Sequence, residues 1–189
     1  MYMHKDIYPP GSPTHQEQPY AFKLAAIEQA WNDGHEQVLW VDSSGWAVNQ
    51  VLPIFQGMDQ TGHYFWTSGF YTAQWTNDRT LNYFGVTREE ARTMPMLYAI
   101  IMGFDFRHER TRRFFARWKQ SMLDGQFAGH WKRQPEDTEA MDYEGHRHDQ
   151  SCASIIAAQE GMALDLSCDT CRTYHPSMPI SVRMAFQGM

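Results

Sequence analysis

Residues 38 to 45 read VLWVDSSG. Four consecutive apolar residues bounded by polar ones mark a buried strand, and Asp42-Ser43-Ser44-Gly45 ends it in a turn. Helical patterns lie on both sides. Upstream, Phe22, Leu24, Ala25, Ile27 and Trp31 give a partial helical stripe over residues 20–32, closed by Asp33-Gly34. Downstream, VLPIFQG (51–57) predicts a short helix and HYFW (63–66) a second strand. TNDRTLNYF (76–84) predicts a helix. Thr87 with Glu90 three residues on fits a capping box that opens another helix over 87–94. The apolar run MLYAIIMGFDF (96–106) predicts a central strand. Residues 109–123 predict an amphipathic helix with Phe114, Phe115, Trp118 and Met122 on one face. Residues 124–145 have no period and read as loop. A helix from about Asp149 to Gly161 and a last strand over 180–187 complete the chain. Strands alternating with helices predict an α/β class with a mostly parallel sheet. The length predicts one domain over 1–189, with 1–19 as an extended, proline-rich lead-in.

The charge balance narrows the partners. Sixteen Lys and Arg stand against 22 Asp and Glu, a net charge of -6. That argues against nucleic acid, whose backbone is met by clustered cations. No apolar stretch reaches the roughly 18 to 20 residues of a membrane span, and MYMHKDIYPPGSP has no apolar signal core, so a soluble, cytoplasmic protein is expected. The cysteines are Cys152, Cys168 and Cys171. An odd count does not suggest a disulfide framework. Cys168-Asp-Thr-Cys171 with His175 behind it is either two reduced thiols in a loop or part of a zinc or redox site.

Four places carry candidate chemistry. Asp42 follows the buried strand directly, where a carboxylate can hold a divalent cation or a ribose hydroxyl, or can simply cap the turn. GHRHDQSC (145–152) groups His146, His148, Asp149 and Gln150 at the start of an apolar helical run, where the helix dipole favours anions. Asp149 is equally suited to be an N-cap. Lys23, in the first turn of its helix, either pairs with a phosphate or is solvated. Gln74 and Trp75 offer an amide and a ring, for stacking on a sugar or base or for filling the core.

Taken in order, PYAFKLAAIEQAW, VLWVDSSGWAV, LPIF, the QWT-D segment and HRHDQS resemble GT-A-fold glycosyltransferases of the glycogenin and galactosyltransferase-like group. The resemblance covers about residues 8–189. It implies a Rossmann-like, mostly parallel sheet and a nucleotide-sugar donor with an acceptor left open. Lys23, Asp42, Ser43, Ser44, Gln74 and Trp75 would bind the donor. Asp42, Ser44 and His146 would hold Mn²⁺ or Mg²⁺, the DXD motif falling on Asp42-Ser43-Ser44. Asp149, Gln150 and His148 would act in catalysis. Ser44 stands where the group has its second carboxylate. The group's late His-Gly and Lys-Pro-Trp segment has no counterpart, and its opening strand and base-binding loop are expected to be missing before Tyr20. Two other readings stay open: a non-catalytic carbohydrate- or nucleotide-binding module, and a metal-dependent hydrolase using Asp42, His146, His148 and Asp149.

Overall fold

The run at 38–41 is a strand, and everything near it turns on how that strand is paired. The computed structural model describes residues 13–165, 171–173 and 184–186. In chain order the elements are α1 (Ala21–Asn32), β1 (Gln37–Val41), β2 (Gly45–Ala47), α2 (Leu52–Thr61), β3 (His63–Tyr64) and β4 (Thr67–Tyr71). After a 3-10 turn at Thr72–Trp75 come α3 (Asp78–Tyr83), α4 (Arg88–Ala91), β5 (Pro95–Leu97), β6 (Ile101–Asp105), α5 (Glu109–Leu123), α6 (His148–Gln159), β7 (Cys171–Thr173) and β8 (Met184–Phe186).

The mixed α/β class holds, but the main sheet is not parallel. Its order is β1-β6-β3, and β6 runs antiparallel to both neighbours. The strand–helix–strand unit β1-α2-β3 does give two strands running the same way. Strand β6 is inserted between them, so no two adjacent strands of this sheet are parallel. Helix–strand alternation reports the direction of successive strands and not which strand is slotted between them. The β4-β5 and β2-β8 pairs are also antiparallel, and β7-β8 alone is a parallel pair of named strands among the described residues.

The apolar run at 96–106 is two strands, not one. Strand β5 pairs with β4, the chain turns at Ala99-Ile100, and β6 then enters the main sheet. All five residues of β6 are buried, as befits a central strand covered on both faces. Met102 and Phe104 point into a core built from Leu24 and Ile27 of α1, Phe114, Phe115 and Trp118 of α5, and Ile156 of α6. Ile101 points the other way, to Ile54 of α2. The same alternation sends Val38 and Trp40 of β1 to the first face and Leu39 and Val41 to the second.

Local signals are otherwise obeyed. The Thr87 side chain accepts from the Glu90 amide and Glu90 reaches back, the reciprocal cap expected from the sequence. Residues 124–147 contain no helix or strand. No helix among the described residues is long and apolar enough to cross a membrane. The proline-rich stretch before Pro13, Cys168 and His175 lie outside the described residues, as does most of the strand expected at 180–187.

Candidate functional site

Three residues chosen from distant parts of the sequence meet. Lys23 is 2% exposed, and its Nζ donates to Asp149 Oδ2 at 2.8 Å and to the Ala99 carbonyl at 2.8 Å. Asp42 Oδ1 lies 3.6 Å from the same nitrogen, and the Asp42 side chain is 30% exposed. The elements explain the meeting. Helix α1 lies along β1, Asp42 leaves the end of β1, and the first turn of α6 brings Asp149 over both. Burial alone would strip the proton from Lys23, but the carboxylates of Asp149 and Asp42 outweigh it and hold the ammonium charged, with its pKa above the ordinary value. Asp149 is buried behind the lysine, whereas Asp42 is partly open to the surface.

Rings surround the ammonium. The Tyr20 ring centroid is 5.5 Å from Nζ and that of Trp40 is 5.6 Å away. Trp40 Nε1 donates to Asp42 Oδ1 at 2.6 Å. Residues i and i+2 of a strand share a face, so this pairing of Trp40 with Asp42 is visible in the spacing LWVD once the strand is known. The Tyr20 and His148 rings are 5.7 Å apart. Those two are also the non-glycine residues of the described chain with positive φ, at 66° and 50°. Such backbone costs free energy and persists where the surroundings impose it, often at working sites. Nothing in the sequence announces it.

The two histidines are fixed in different ways. His148 Nδ1 donates to the Phe127 carbonyl at 2.7 Å, which leaves Nε2 with its lone pair. Burial holds the His148 pKa below the ordinary value, so the ring is neutral at pH 7. His146 Nε2 donates to the Gln126 carbonyl at 3.0 Å, and its Nδ1 is buried without a partner. Burial, with the neighbouring His148 ring adding to it, pushes the His146 pKa down to about 3.

The remaining expected site residues divide. Ser43 and Ser44 sit exposed in the turn after β1, and Gly45 N–H donates to the Asp42 carbonyl at 2.8 Å. Gln74 is structural: its Oε1 accepts from the Tyr71 amide at 3.0 Å and closes the cap of the 3-10 turn. Trp75 lies against the guanidinium of Arg147, 3.8 Å from its ring centroid. Gln150 is half-buried in the first turn of α6, and its amide donates to the Arg147 carbonyl at 2.9 Å. Of the residues expected to hold Mn²⁺ or Mg²⁺, Asp42 is partly exposed, Ser44 is exposed and His146 is buried. Asp42 Oδ1 is engaged by Trp40 and shadowed by a fixed ammonium, which repels a second cation. His146 is fully buried with one nitrogen already bonded. No group of three or more His, Cys, Asp or Glu among the described residues could hold a metal ion. Cys152 is a buried free thiol in the core.

No protein-family model and no curated protein matches this chain. The site therefore stands on its geometry.

The loop 124–147 is moulded onto the start of α6. A Cβ on Gly145, whose φ is 157°, would fall against the Trp131 carbonyl oxygen, well inside van der Waals contact. That oxygen accepts from Arg147 Nη1 at 3.0 Å. Gly145→Ala is expected to lower stability by roughly 1 to 3 kcal/mol, as over-packing does. It should also shift tryptophan emission as Trp131 moves. Urea unfolding followed by fluorescence measures both, and an unchanged midpoint would refute the close fit.

Proposed function

We propose that this chain is a glycosyltransferase that handles a sugar at the Lys23–Asp42–Asp149 centre. The observation that carries the reading is the placing of a buried lysine between two carboxylates, one of them partly open to the surface, beside the rings of Tyr20 and Trp40. Sugars ask for this mixture. Their hydroxyls donate to carboxylates and accept from ammonium groups, and their C–H faces lie on aromatic rings. Asp42 takes a hydroxyl of the transferred sugar, and Lys23 steadies Asp42. Asp149 is a positioning residue: it fixes Lys23 and is itself buried.

Glycosyl transfer joins an acceptor oxygen to the anomeric carbon as the nucleoside diphosphate leaves with the bonding electrons. The acceptor hydroxyl must give up its proton in that step. His148 suits the task, because its Nδ1–H is tied to Phe127 and its Nε2 lone pair stays available in a neutral ring. The sequence resemblance supports a nucleotide-sugar donor. Ser44, a hydroxyl where the group has its second carboxylate, favours as second reading a module that binds carbohydrate without transferring it.

Thermal melting separates the two. The ligands are a panel of nucleoside diphosphates, their sugars and free monosaccharides, with and without Mn²⁺. The proteins are the native chain, Asp42→Asn and His148→Asn. A ligand that binds only the folded chain stabilises it by about 2.7 kcal/mol at a hundredfold excess over Kd. One nucleotide sugar is expected to raise Tm, and Asp42→Asn should lower the part of the rise that its sugar contributes. Asparagine at 148 tolerates positive φ and can keep the bond to Phe127. His148→Asn should therefore still bind but transfer sugar roughly 10²- to 10⁴-fold more slowly. A rise with free sugars alone selects the binding module, and no rise with any ligand sinks both.

A further inference from the structure

Arg147 has a setting that the sugar centre does not explain. Its guanidinium carbon lies 3.8 Å from the Trp75 ring centroid and 3.7 Å from that of Trp131. A guanidinium is planar and weakly hydrated, so it can lie flat between two indoles and leave its edge for a ligand. Nη1 is spent on the Trp131 carbonyl. Among the described residues Nε and Nη2 have no protein partner, and no carboxylate forms an ion pair with this side chain. The backbone is pinned as well: Arg147 N–H donates to Trp75 O at 3.1 Å and to Ser151 Oγ at 3.0 Å. The result is an uncompensated positive charge with a fixed rotamer and two free donors.

Its place gives it a use. Arg147 precedes His148 directly, and Trp131 stacks on the His148 ring, with centroids 5.7 Å apart. The Tyr20 ring in turn lies 5.7 Å from that of His148. So Arg147 sits next to the His148 ring, at the edge of the centre. Within the centre itself one ammonium faces two carboxylates, an arrangement that repels an anion. An anionic ligand needs a cation elsewhere, and Arg147 is one that forms no ion pair with a carboxylate among the described residues.

We infer that Arg147 is an oxyanion fork, held flat by Trp75 and Trp131, which gives Nε and Nη2 to a pair of ligand oxygens. Those oxygens belong to the diphosphate of an activated sugar or to the carboxylate of an acidic sugar. Two parallel N–H···O bonds match either group, and a pre-set rotamer lowers the entropy lost on binding. The inference rests on the reading above only in placing the anion beside a sugar.

The test uses calorimetry and tryptophan fluorescence at low ionic strength with EDTA present. The probes are pyrophosphate, glucuronate and glucose. The proteins are the native chain, Arg147→Lys, Arg147→Gln and Asp42→Asn. One of the two anions is expected to bind the native chain and change its fluorescence, because Trp75 and Trp131 flank the charge, and added salt should reverse the change. Arg147→Lys should weaken that anion roughly tenfold or more, since an ammonium has no fork, and Arg147→Gln at least as much. Asp42→Asn should keep it. Pyrophosphate binding names a phosphoryl ligand, and glucuronate binding an acidic sugar. The fork is overturned if neither anion binds, if binding leaves the fluorescence unchanged, or if Arg147→Gln binds as tightly as the native chain. Glucose binding without either anion removes the fork and keeps the sugar centre. Anion binding that depends on Arg147, with no sugar bound under any condition, keeps the fork and removes the glycosyl reading. The native-chain fluorescence titration needs no variant, so poor folding of Arg147→Gln does not block the test.

Discussion

Lys23→Met is expected to destabilise the fold by about 3 to 5 kcal/mol, the usual cost of leaving a buried charge without its partner. The methionine fills a similar volume, so packing is not what is lost. Asp149 remains buried with no cation, and the Ala99 carbonyl loses its donor. Asp149 must then take up a proton to stay inside, and the variant should recover part of its stability as the pH is lowered towards the carboxylate range. Lys23→Met combined with Asp149→Leu removes both charges and should regain most of the loss. Urea unfolding of the two variants decides it. A loss below about 1 kcal/mol for Lys23→Met would mean that water reaches the pair, because solvent-exposed ion pairs are worth no more than that.

The second large effect is a fall in stability under mild acid. His146 is neutral in the fold, with its pKa moved from 6.5 to about 3 by burial. The unfolded chain binds a proton at this ring below pH 6.5, and the folded chain does not until about pH 3. Stability is therefore complete above pH 6.5 and declines as the pH falls through the window down to 3. The slope is on the order of 1.4 kcal/mol for each pH unit inside it. His148, also lowered by burial, acts in the same direction. Asp142, held low by Arg92, and Glu160, held low by Arg117 and Arg113, act the same way but only below the ordinary carboxylate range. His146→Gln can keep a donor for the Gln126 carbonyl and does not titrate, so it should flatten the profile between pH 6.5 and 5. An unchanged slope in that variant would place the acid sensitivity elsewhere.

Much of the site was legible in the sequence, for a definite reason. Lys23, Asp42 and Asp149 each stand at the start or end of an element, where chain direction and dipole give a charged group a task. The pairing of the strands was not legible. The alternation of VLWV, LPIF and HYFW says that β1 and β3 run the same way, and nothing in it says that Ile101–Asp105 lies between them. The long run 96–106 hid its break, since Tyr98, Ala99 and Ile100 are as apolar as the strands they separate. Trp40 could have been found from its i,i+2 relation to Asp42. Trp131 and Arg147 could not, because their setting comes from a loop without period folding over the start of α6, and neither could Tyr20, whose positive φ at the start of α1 has no signal in the sequence. Gln74 misled for the opposite reason: an amide in a promising segment is also a good turn cap.

The bond between Lys23 and Asp149 joins residues separated by 126 positions. Closing so long a segment is slow compared with forming any one helix, so this contact belongs to the last stage of folding. During synthesis α1 leaves the ribosome early, while α6 is still unmade. Until α6 arrives, Lys23 has the Ala99 carbonyl and Asp42 as partners but lacks its buried carboxylate. Helix α6 thus supplies the last of the partners that the lysine of the first helix takes in the folded chain.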